Sequence, residues 1–344
     1  AFDGTGNDES SRTNIFWLRE AYDDNDSASI ASSDRPYYIE GVGTKWYELG
    51  DRGLAYTLKP KVRVQLDRLD AYVKAKFSDE TQMQGTTVSP DSPLLITLDV
   101  IGFSRGAAAA RDFVNEVIAR NNRSYYRDLV GGECVGVQIR FLGLFDTVLS
   151  KQVNGMFALG IPASQIGNVA HAVAANEHRP LFPLESAESS YADRGLGTDL
   201  IERGFIGAHA DIGGGYLVED GGDLSDVALN WMYQQAIAAG VHMKPLEPDQ
   251  RSITDPIVHD ESRAYPWNTP PFGGLEHDRQ ARYPDQVLEQ RASDFVGMNH
   301  AEALSYIRPY AKEAPLPYPY QDGIAPPVQP PNNRAGLVEL KQYR

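Results

Sequence analysis

The sequence has 344 residues, 42% of them hydrophobic and 23% charged, which is enough to bury one sizeable core. Its formal net charge of −15 argues against nucleic-acid binding through bulk electrostatics, and no stretch reaches the roughly 18 apolar residues of a membrane span. Cys134 is the only cysteine, so the sequence excludes an internal disulfide framework and a thiolate metal cluster.

The N-terminal region is predicted to contain a strand end, a tight turn and a helix. It has neither an initiating Met nor a signal-peptide pattern, and we expect the sequence to begin inside a longer gene product. Residues 2–7, FDGTGN, read as a strand end followed by turn formers, and Thr13 to Ala21 has helical spacing. The polar stretch 23–34 imitates a calcium loop, but Ala28 replaces the required glycine, so we predict a solvated loop without metal.

The stretch from Leu94 to Arg120 predicts a nucleophile elbow. An apolar, strand-like run meets the motif GFSRG and continues into an Ala-rich helical pattern. Gly102 and Gly106 flank Ser104, because the sharp strand-to-helix turn leaves no room for a Cβ on either side. The alternative is a Gly-Ser surface loop, and the apolar run before the motif argues against it. The elbow would expose the Ser104 hydroxyl at a helix N-terminus, where developing negative charge is stabilised.

Strand-like and helical segments alternate through much of the chain, which predicts an α/β fold with a mostly parallel, doubly wound sheet and helices on both faces. We predict strands at 37–44, 139–144 and 205–208, and helices at 62–77, 168–178 and 224–239. The predicted catalytic domain is 1–308, with a lid-like insertion around 149–184 and a loop-rich region at 245–285. The segment 309–344 is proline-rich and favours extended chain, with a last strand at 336–342 as an alternative.

A serine nucleophile needs a base and a carboxylate, and α/β-hydrolases supply them in the chain order Ser, acid, His. His209 follows a strand-like run and precedes glycines, which favours it as the base. The other histidines lie in a helical pattern or in loop-like, polar contexts: His171, His178, His242, His259, His277 and His300.

Three aspartates are candidates for the acid that orients His209. Asp99 lies within the strand of the elbow itself, and Asp211 shares one loop with His209. Asp146 follows a different strand and lies between the serine and the histidine in the chain, so we assign the acid role to Asp146 and a structural role to Asp211.

The remaining site residues are predicted from loops near the elbow. The oxyanion hole needs two backbone N–H groups, and we expect one from Arg105 and the other from the Gly-rich turn at Gly4 and Thr5. The turn could also be an ordinary one. The apolar, Gly/Pro-interrupted segment 149–184 is predicted to cover the site and to contact the acyl chain. The predicted contact residues are Met156, Phe157, Leu159 and Ile161.

Four blocks, FDGTGN, GFSRGAAAAR, FLGLFDTV and HADIGGGY, occur in this order. Together they resemble the catalytic domain of the type VI secretion lipase effectors of the Tle1 class and the uncharacterised α/β-hydrolase domains (DUF2235-like) grouped with them. The resemblance covers at least residues 1–216, and NVAHAVAANEHRPLFP is similar to the family's segment before the last catalytic loop. It implies an α/β-hydrolase fold, a triad of Ser104, Asp146 and His209, and phospholipase A activity.

The resemblance also implies partners and a location. The expected substrate is a phospholipid or another lipid ester, reached through transient contact with a membrane surface. A cognate immunity protein and a secretion spike protein are the expected protein partners, and neither a cofactor nor nucleic acid is expected. The implied location is the target-cell periplasm, after secretion without a cleavable signal, with a cytoplasmic location as the alternative.

Other functions fit the sequence less well. A haloacid-dehalogenase phosphatase would need its nucleophilic aspartate at position 1, which is Ala1. A dinucleotide site fails because the glycine pairs at 41–43 and 195–197 lack the third glycine. A carboxylesterase for soluble esters remains an alternative, as does a non-catalytic binding module with this fold, although the intact Ser, Asp and His count against the module.

Overall fold

The computed structural model describes residues 87–149 without a break and the rest of the chain in parts. The described residues are 1–23, 37–42, 58–83, 85, 87–149, 156–162, 165–174, 177, 179, 182–187, 199–205, 207–216, 222–247, 250, 259, 279–283 and 286–290. The predicted features at 309–344, and most of the polar stretch 23–34, lie outside these residues.

The centre of the fold is a four-stranded parallel sheet in the order β1-β2-β3-β4. Its strands are β1 (Leu94–Phe103), β2 (Val135–Phe145), β3 (Ile166–Ala174) and β4 (Asp199–Phe205). Beside β1, Phe2 forms single parallel bridges to Gly102 and to Ile39, so the predicted strand end at the N-terminus lies against the elbow strand. Parallel pairing brings the carboxyl ends of all these segments to one edge, where sites form in open α/β sheets.

Helices cover both faces of the sheet, as the α/β prediction requires. They are α1 (Asn14–Ala21), α2 (Leu58–Ser78), α3 (Arg105–Asn122), α4 (Tyr125–Leu129), α5 (His209–Gly213) and α6 (Ser225–Ala238). Short 3-10 turns occur at Glu9–Ser11 and Gly222–Leu224, and a π-helical turn at Asp79–Met83 follows α2. Among the residues described, none of the helices combines the length and the apolar character needed to cross a bilayer.

Two hydrophobic clusters fill the two sides of the sheet. One joins α2 and α3 to β1 and β2, and the other joins α1 and α6 to the opposite face. A register shift between Leu98 and Asp99 interrupts the β1–β2 pairing. The side chains of β2 therefore change phase, with Val137 and Ile139 in the first cluster and Phe141 and Phe145 in the second.

The main error of the sequence prediction is the helix at 168–178. Residues 166–174 form β3, a core strand that pairs with β2 and β4. A strand buried on both faces shows no polar alternation, and its alanines favour a helix when only local propensity is considered. Residues 166–174 of the predicted lid-like insertion at 149–184 are therefore part of the central sheet.

Smaller differences concern element boundaries. The predicted strand at 37–44 is reduced, within the described residues 37–42, to a single bridge at Ile39. The strand predicted at 205–208 is β4, which ends at Phe205 instead of beginning there. The region 245–285, predicted as loops, contains β5 (Arg279–Tyr283), which pairs antiparallel with β6 (Gln286–Gln290).

Candidate active site

The elbow has the backbone geometry that its sequence predicts. Ser104 joins β1 to α3 with φ 59° and ψ −130°, a strained conformation for a residue with a side chain. A Cβ on Gly102 would lie 2.7 Å from the Cα of Ala107, and one on Gly106 would lie 2.3 Å from the carbonyl oxygen of Asp3. The two glycines are thus required by the close approach of backbone on both sides of the serine.

His209 and Asp146 form a short, buried hydrogen bond. Asp146 directly follows β2, His209 is the first residue of α5, and His209 Nδ1 lies 2.6 Å from Asp146 Oδ2. The other carboxylate oxygen, Oδ1, accepts the N–H of Ala174 at 2.9 Å. An ionised carboxylate only accepts, so Nδ1 carries the proton and the lone pair lies on Nε2, which is the tautomer that a general base needs.

Backbone and ring contacts bring these two loops to the elbow. The N–H of Ser104 donates to the carbonyl of Phe145 at 2.9 Å, so the serine lies beside the strand end that carries Asp146. The ring of Phe103, the residue before the serine, lies 4.7 Å from the imidazole of His209. Ser104, Asp146 and His209 are all buried, and they share one edge of the sheet.

A charged and aromatic layer surrounds the imidazole. The ring of Phe182 contacts His209 edge-on at 5.0 Å between centroids, and Glu177 accepts the backbone N–H of His209 at 3.2 Å. Arg179 forms an ion pair with Glu177 and stacks over Phe182. Burial lowers the pKa of His209, the Arg179 charge acts in the same direction, and Asp146 opposes both. The imidazole is therefore held neutral at neutral pH.

The two other candidate aspartates have different partners. The carboxylate of Asp99 pairs with Arg140 and accepts the hydroxyl of Tyr22 at 3.1 Å. Asp211 is buried, accepts the N–H of Ala208 at 2.9 Å and contacts Nδ1 of His259 at 2.6 Å. Of the three, the structure places only Asp146 against the His209 ring.

The predicted oxyanion loop lies against the start of α3, because the backbone carbonyl of Asp3 packs directly against Gly106. The N–H of Gly4 donates to the carboxylate of Asp3 at 2.7 Å, which leaves Thr5 as the better candidate of the pair. Arg105 is the first residue of α3, so its N–H lies at the N-terminal end of that helix. Burial raises the pKa of Asp3 to about 6, although hydrogen bonds from Tyr38 and other donors act in the opposite direction.

The four predicted acyl-contact residues have unequal surroundings. Phe157 and Ile161 are buried in the cluster shared with α2 and α3, and Leu159 packs against that cluster. Met156 is 49% exposed. The segment is also tied to α3, because Arg111 donates to the carbonyl of Leu159 and Asn115 donates to the carbonyls of residues 158 and 160. Phe157 and Ile161 are thus core residues in this structure, and only Met156 presents a largely exposed apolar side chain.

Sequence reasoning did not single out Glu177, Arg179, Phe182 or His259. The first three belong to the stretch NEHRPLFP, whose composition of charge, proline and aromatic residues was the available signal. His259 is 48 residues from Asp211 and offers no local signal. Within the described part of the chain, no cluster of three or more His, Cys, Asp or Glu side chains could hold a metal ion.

Comparisons with known proteins agree with the resemblance in the sequence. Residues 124–235 match the model of the family "T6SS, Phospholipase effector Tle1-like, catalytic domain". The structure of the Tle1 effector bound to the VgrG spike from the Type 6 secretion system is similar with 20% identity over 76% of each chain and a TM-score of 0.49. No curated protein matches the chain.

An uncharacterized protein from Pseudomonas aeruginosa is similar with 21% identity and a TM-score of 0.51, over 74% of this chain and 47% of that one. This likeness concerns the fold alone. The α/β fold is confirmed by the parallel sheet and its helices, and the resemblance to Tle1-like catalytic domains is confirmed for residues 124–235.

Proposed function

We propose that the chain is a serine hydrolase that cleaves carboxylic esters, with Ser104 as nucleophile, His209 as general base and Asp146 as the acid that orients it. The observation that carries the proposal is the 2.6 Å contact between His209 Nδ1 and Asp146 Oδ2, at the sheet edge that also carries a strained Ser104. The three groups come from three separate strand ends, which is the arrangement of an α/β-hydrolase triad.

In the proposed reaction, His209 Nε2 takes the hydroxyl proton as Ser104 Oγ attacks the ester carbonyl carbon. The tetrahedral intermediate then expels the alcohol, which receives the proton from His209, and leaves an acyl group on the serine. Water, deprotonated by the same imidazole, releases the acid and restores the hydroxyl. Asp146 keeps the imidazole in the productive tautomer and stabilises the imidazolium that forms in each half-reaction.

Negative charge on the tetrahedral oxygen is stabilised by backbone donors. We assign this role to the N–H of Arg105, at the beginning of α3, and to the N–H of Thr5 in the neighbouring loop. The N-terminal end of an 18-residue helix contributes a favourable dipole to the same position. Gly4 then serves to shape the loop, because its N–H is bonded to Asp3.

The proposed substrate is a membrane glycerophospholipid, cleaved as by a phospholipase A. Support for this class comes from the match of residues 124–235 to Tle1-like phospholipase effectors. By the same resemblance we propose delivery with a secretion spike protein, of the kind named in the complex of the Tle1 effector with VgrG, and action on lipids in the target-cell periplasm. A cognate immunity protein and a transient contact with the membrane surface complete this proposal.

Product analysis tests the reaction and the substrate class together. The protein is incubated with vesicles of phosphatidylethanolamine and phosphatidylglycerol and, separately, with short p-nitrophenyl esters, and the products are identified by mass spectrometry. We expect free fatty acid and lysophospholipid from the vesicles, and neither from the Ser104→Ala variant. Turnover of p-nitrophenyl esters alone would favour the carboxylesterase alternative, and turnover of neither would contradict the proposal.

A further inference from the structure

A second histidine–carboxylate pair is buried directly behind the catalytic acid. His171 lies in the middle of β3 and is paired with Glu202 of β4. Both side chains are buried. His171 Nδ1 lies 2.9 Å from Glu202 Oε2, and the N–H of Thr147 donates to His171 Nε2 at 3.1 Å. The imidazole therefore bridges β4 to the residue that follows Asp146.

These contacts determine the tautomer of His171. A backbone N–H is an obligatory donor, so Nε2 must offer its lone pair to Thr147, and Nδ1 then carries the proton toward the Glu202 carboxylate. The N–H of Ala187 is 3.4 Å from Nδ1 but 2.7 Å from Glu202 Oε2, which makes the carboxylate its acceptor. With Ser186 bonded to the other oxygen at 2.7 Å, the carboxylate is held in a fixed orientation.

The Thr147 contact acts on a strained loop. Asp146 has φ 38°, a left-handed conformation that is costly for a residue with a side chain. Its N–H donates to the carbonyl of Ala172 at 2.7 Å, and the next N–H along the chain is the one that His171 accepts. Two consecutive amides of the loop are thus bound by β3, which holds Asp146 in the conformation that directs its carboxylate to His209.

The same network includes the segment that runs beside the loop. Glu185 donates its N–H to the carbonyl of Thr147 at 2.9 Å, and Leu184 forms an antiparallel bridge with Val148. Residues 184–187 are therefore bound both to the Asp146 loop and, through Ser186 and Ala187, to Glu202. Every one of these contacts is a hydrogen bond to a buried group, so the loss of one leaves a buried donor or acceptor without its partner.

We propose that His171 is a positioning residue for the hydrolase reaction, with Glu202 as the group that fixes its tautomer. The lone pair of His171 Nε2 accepts the Thr147 N–H and so fixes the Asp146 backbone. The Asp146 carboxylate thereby keeps its contact with His209. This inference rests on the proposed function, in which Asp146 orients the catalytic base.

A double-mutant cycle between His171 and Asp146 separates positioning from general stability. His171→Leu removes the acceptor at similar volume, and we expect kcat to fall about 10²-fold with KM unchanged, because small displacements at a reacting site have effects of this size. In the Asp146→Asn background the same substitution should have no further effect on kcat, because His171 acts through that carboxylate. An equal loss in both backgrounds, or a change in KM alone, would overturn the proposal.

Two comparison variants sharpen the cycle. His171→Gln keeps an acceptor for the Thr147 N–H and a donor for Glu202, so we expect it to recover most of the kcat that His171→Leu loses. Asn230→Leu removes an equally buried side chain in α6, whose amide donates to the carbonyl of Asp226 at 2.6 Å. This control should lower the Tm and leave kcat unchanged. A kcat loss in Asn230→Leu as large as in His171→Leu would mean that destabilisation alone explains the effect.

The tautomer can be measured on the unmodified protein, which does not depend on any variant folding. In ¹⁵N-labelled protein at neutral pH, we expect the His171 ring to show a protonated Nδ1 and an unprotonated Nε2, and Glu202→Gln to weaken that preference. A protonated Nε2 would contradict the network. If the unmodified protein hydrolysed no ester and Ser104 took up no fluorophosphonate, the proposed function would fail, and the tautomer would still decide whether His171 holds the Thr147 amide.

Discussion

Two histidine–aspartate pairs each have one member in α5 and the same 2.6 Å separation, and they differ in what surrounds them. His209 and Asp146 bridge two strand ends next to the elbow, where the Phe103 ring contacts the imidazole. His259 binds Asp211, is stacked on Tyr216 with centroids 3.8 Å apart, and its side chain is 18% exposed. A short contact with a carboxylate therefore does not identify a catalytic histidine; its position relative to the nucleophile does.

We expect a larger loss of activity when the His209–Asp146 pair is disrupted than when the His259–Asp211 pair is disrupted. Removal of the Ser104 hydroxyl should cause the largest loss. Ser104→Ala should lower kcat by about 10⁶-fold, the scale of losing a triad nucleophile, because the proposed triad forms its acyl intermediate on that hydroxyl. Esterase and phospholipase rates should fall together, while the circular dichroism spectrum and the Tm stay close to those of the unmodified protein. Measurable turnover by the purified variant would place the nucleophile elsewhere.

Asp146→Asn should have the next largest effect. The amide can no longer stabilise the imidazolium and favours the wrong tautomer of His209, so we expect kcat to drop by about 10⁴-fold with thermal stability roughly unchanged. Steady-state kinetics with a p-nitrophenyl ester, under conditions that detect residual activity, measure this effect. The idea would be wrong if this variant kept more activity than the corresponding Asp211 variant.

The pH dependence of kcat/KM should follow the burial of His209. Only the neutral imidazole acts as a base, and burial lowers its pKa below the usual value of about 6.5. We therefore expect the rate to persist as the pH falls through about 6.5 and then to decrease about tenfold per pH unit below the pKa of the folded protein.

The lowered pKa of His209 also makes the free energy of unfolding depend on pH. Because the unfolded chain binds this proton at a higher pH than the folded one, His209 should make the unfolding free energy decrease as the pH falls below about 6.5. A rate profile whose acid limb lay above that pH would contradict the inferred environment of the imidazole.

Asp211→Asn should have the smallest effect on the rate and a clear effect on stability. Its carboxylate accepts the N–H groups of Ala208 and His259 as well as contacting the His259 ring, and an amide cannot satisfy all of these donors. We expect the unfolding free energy to fall by about 1–3 kcal/mol, the cost of an unsatisfied buried group, with kcat within a few-fold of normal. Urea unfolding followed by tryptophan fluorescence provides the measurement.

The local sequence was sufficient to predict the elbow, but it did not predict the side chains that surround His209. The elbow is continuous in sequence, and its strand, glycines and helix each have a local signature, so the sharp turn at Ser104 was predictable from residues 94–120. The contact between Asp146 and His209 could be anticipated from chain order, because each residue follows an apolar run that forms a strand. The fold class followed from the same alternation of strands and helices.

The remaining errors come from contacts between distant segments. The helix predicted over β3 was wrong because neighbouring strands, and not local propensity, determine a fully buried strand. That error also hid His171, which was assigned to a helix and lies instead in β3, beside the strand that ends before Asp146. Glu177, Arg179 and Phe182 become neighbours of His209 only once the sheet is assembled.

Labelling with a fluorophosphonate, followed by peptide mass spectrometry, tests directly whether His209 and Asp146 activate Ser104. The reagent reacts with a serine whose hydroxyl is activated by a neighbouring base. We therefore expect one adduct, on Ser104, that forms far more slowly in Asp146→Asn and is absent in Ser104→Ala. An adduct on any other serine, or labelling of Ser104 at the same rate in Asp146→Asn, would contradict a triad of Ser104, His209 and Asp146.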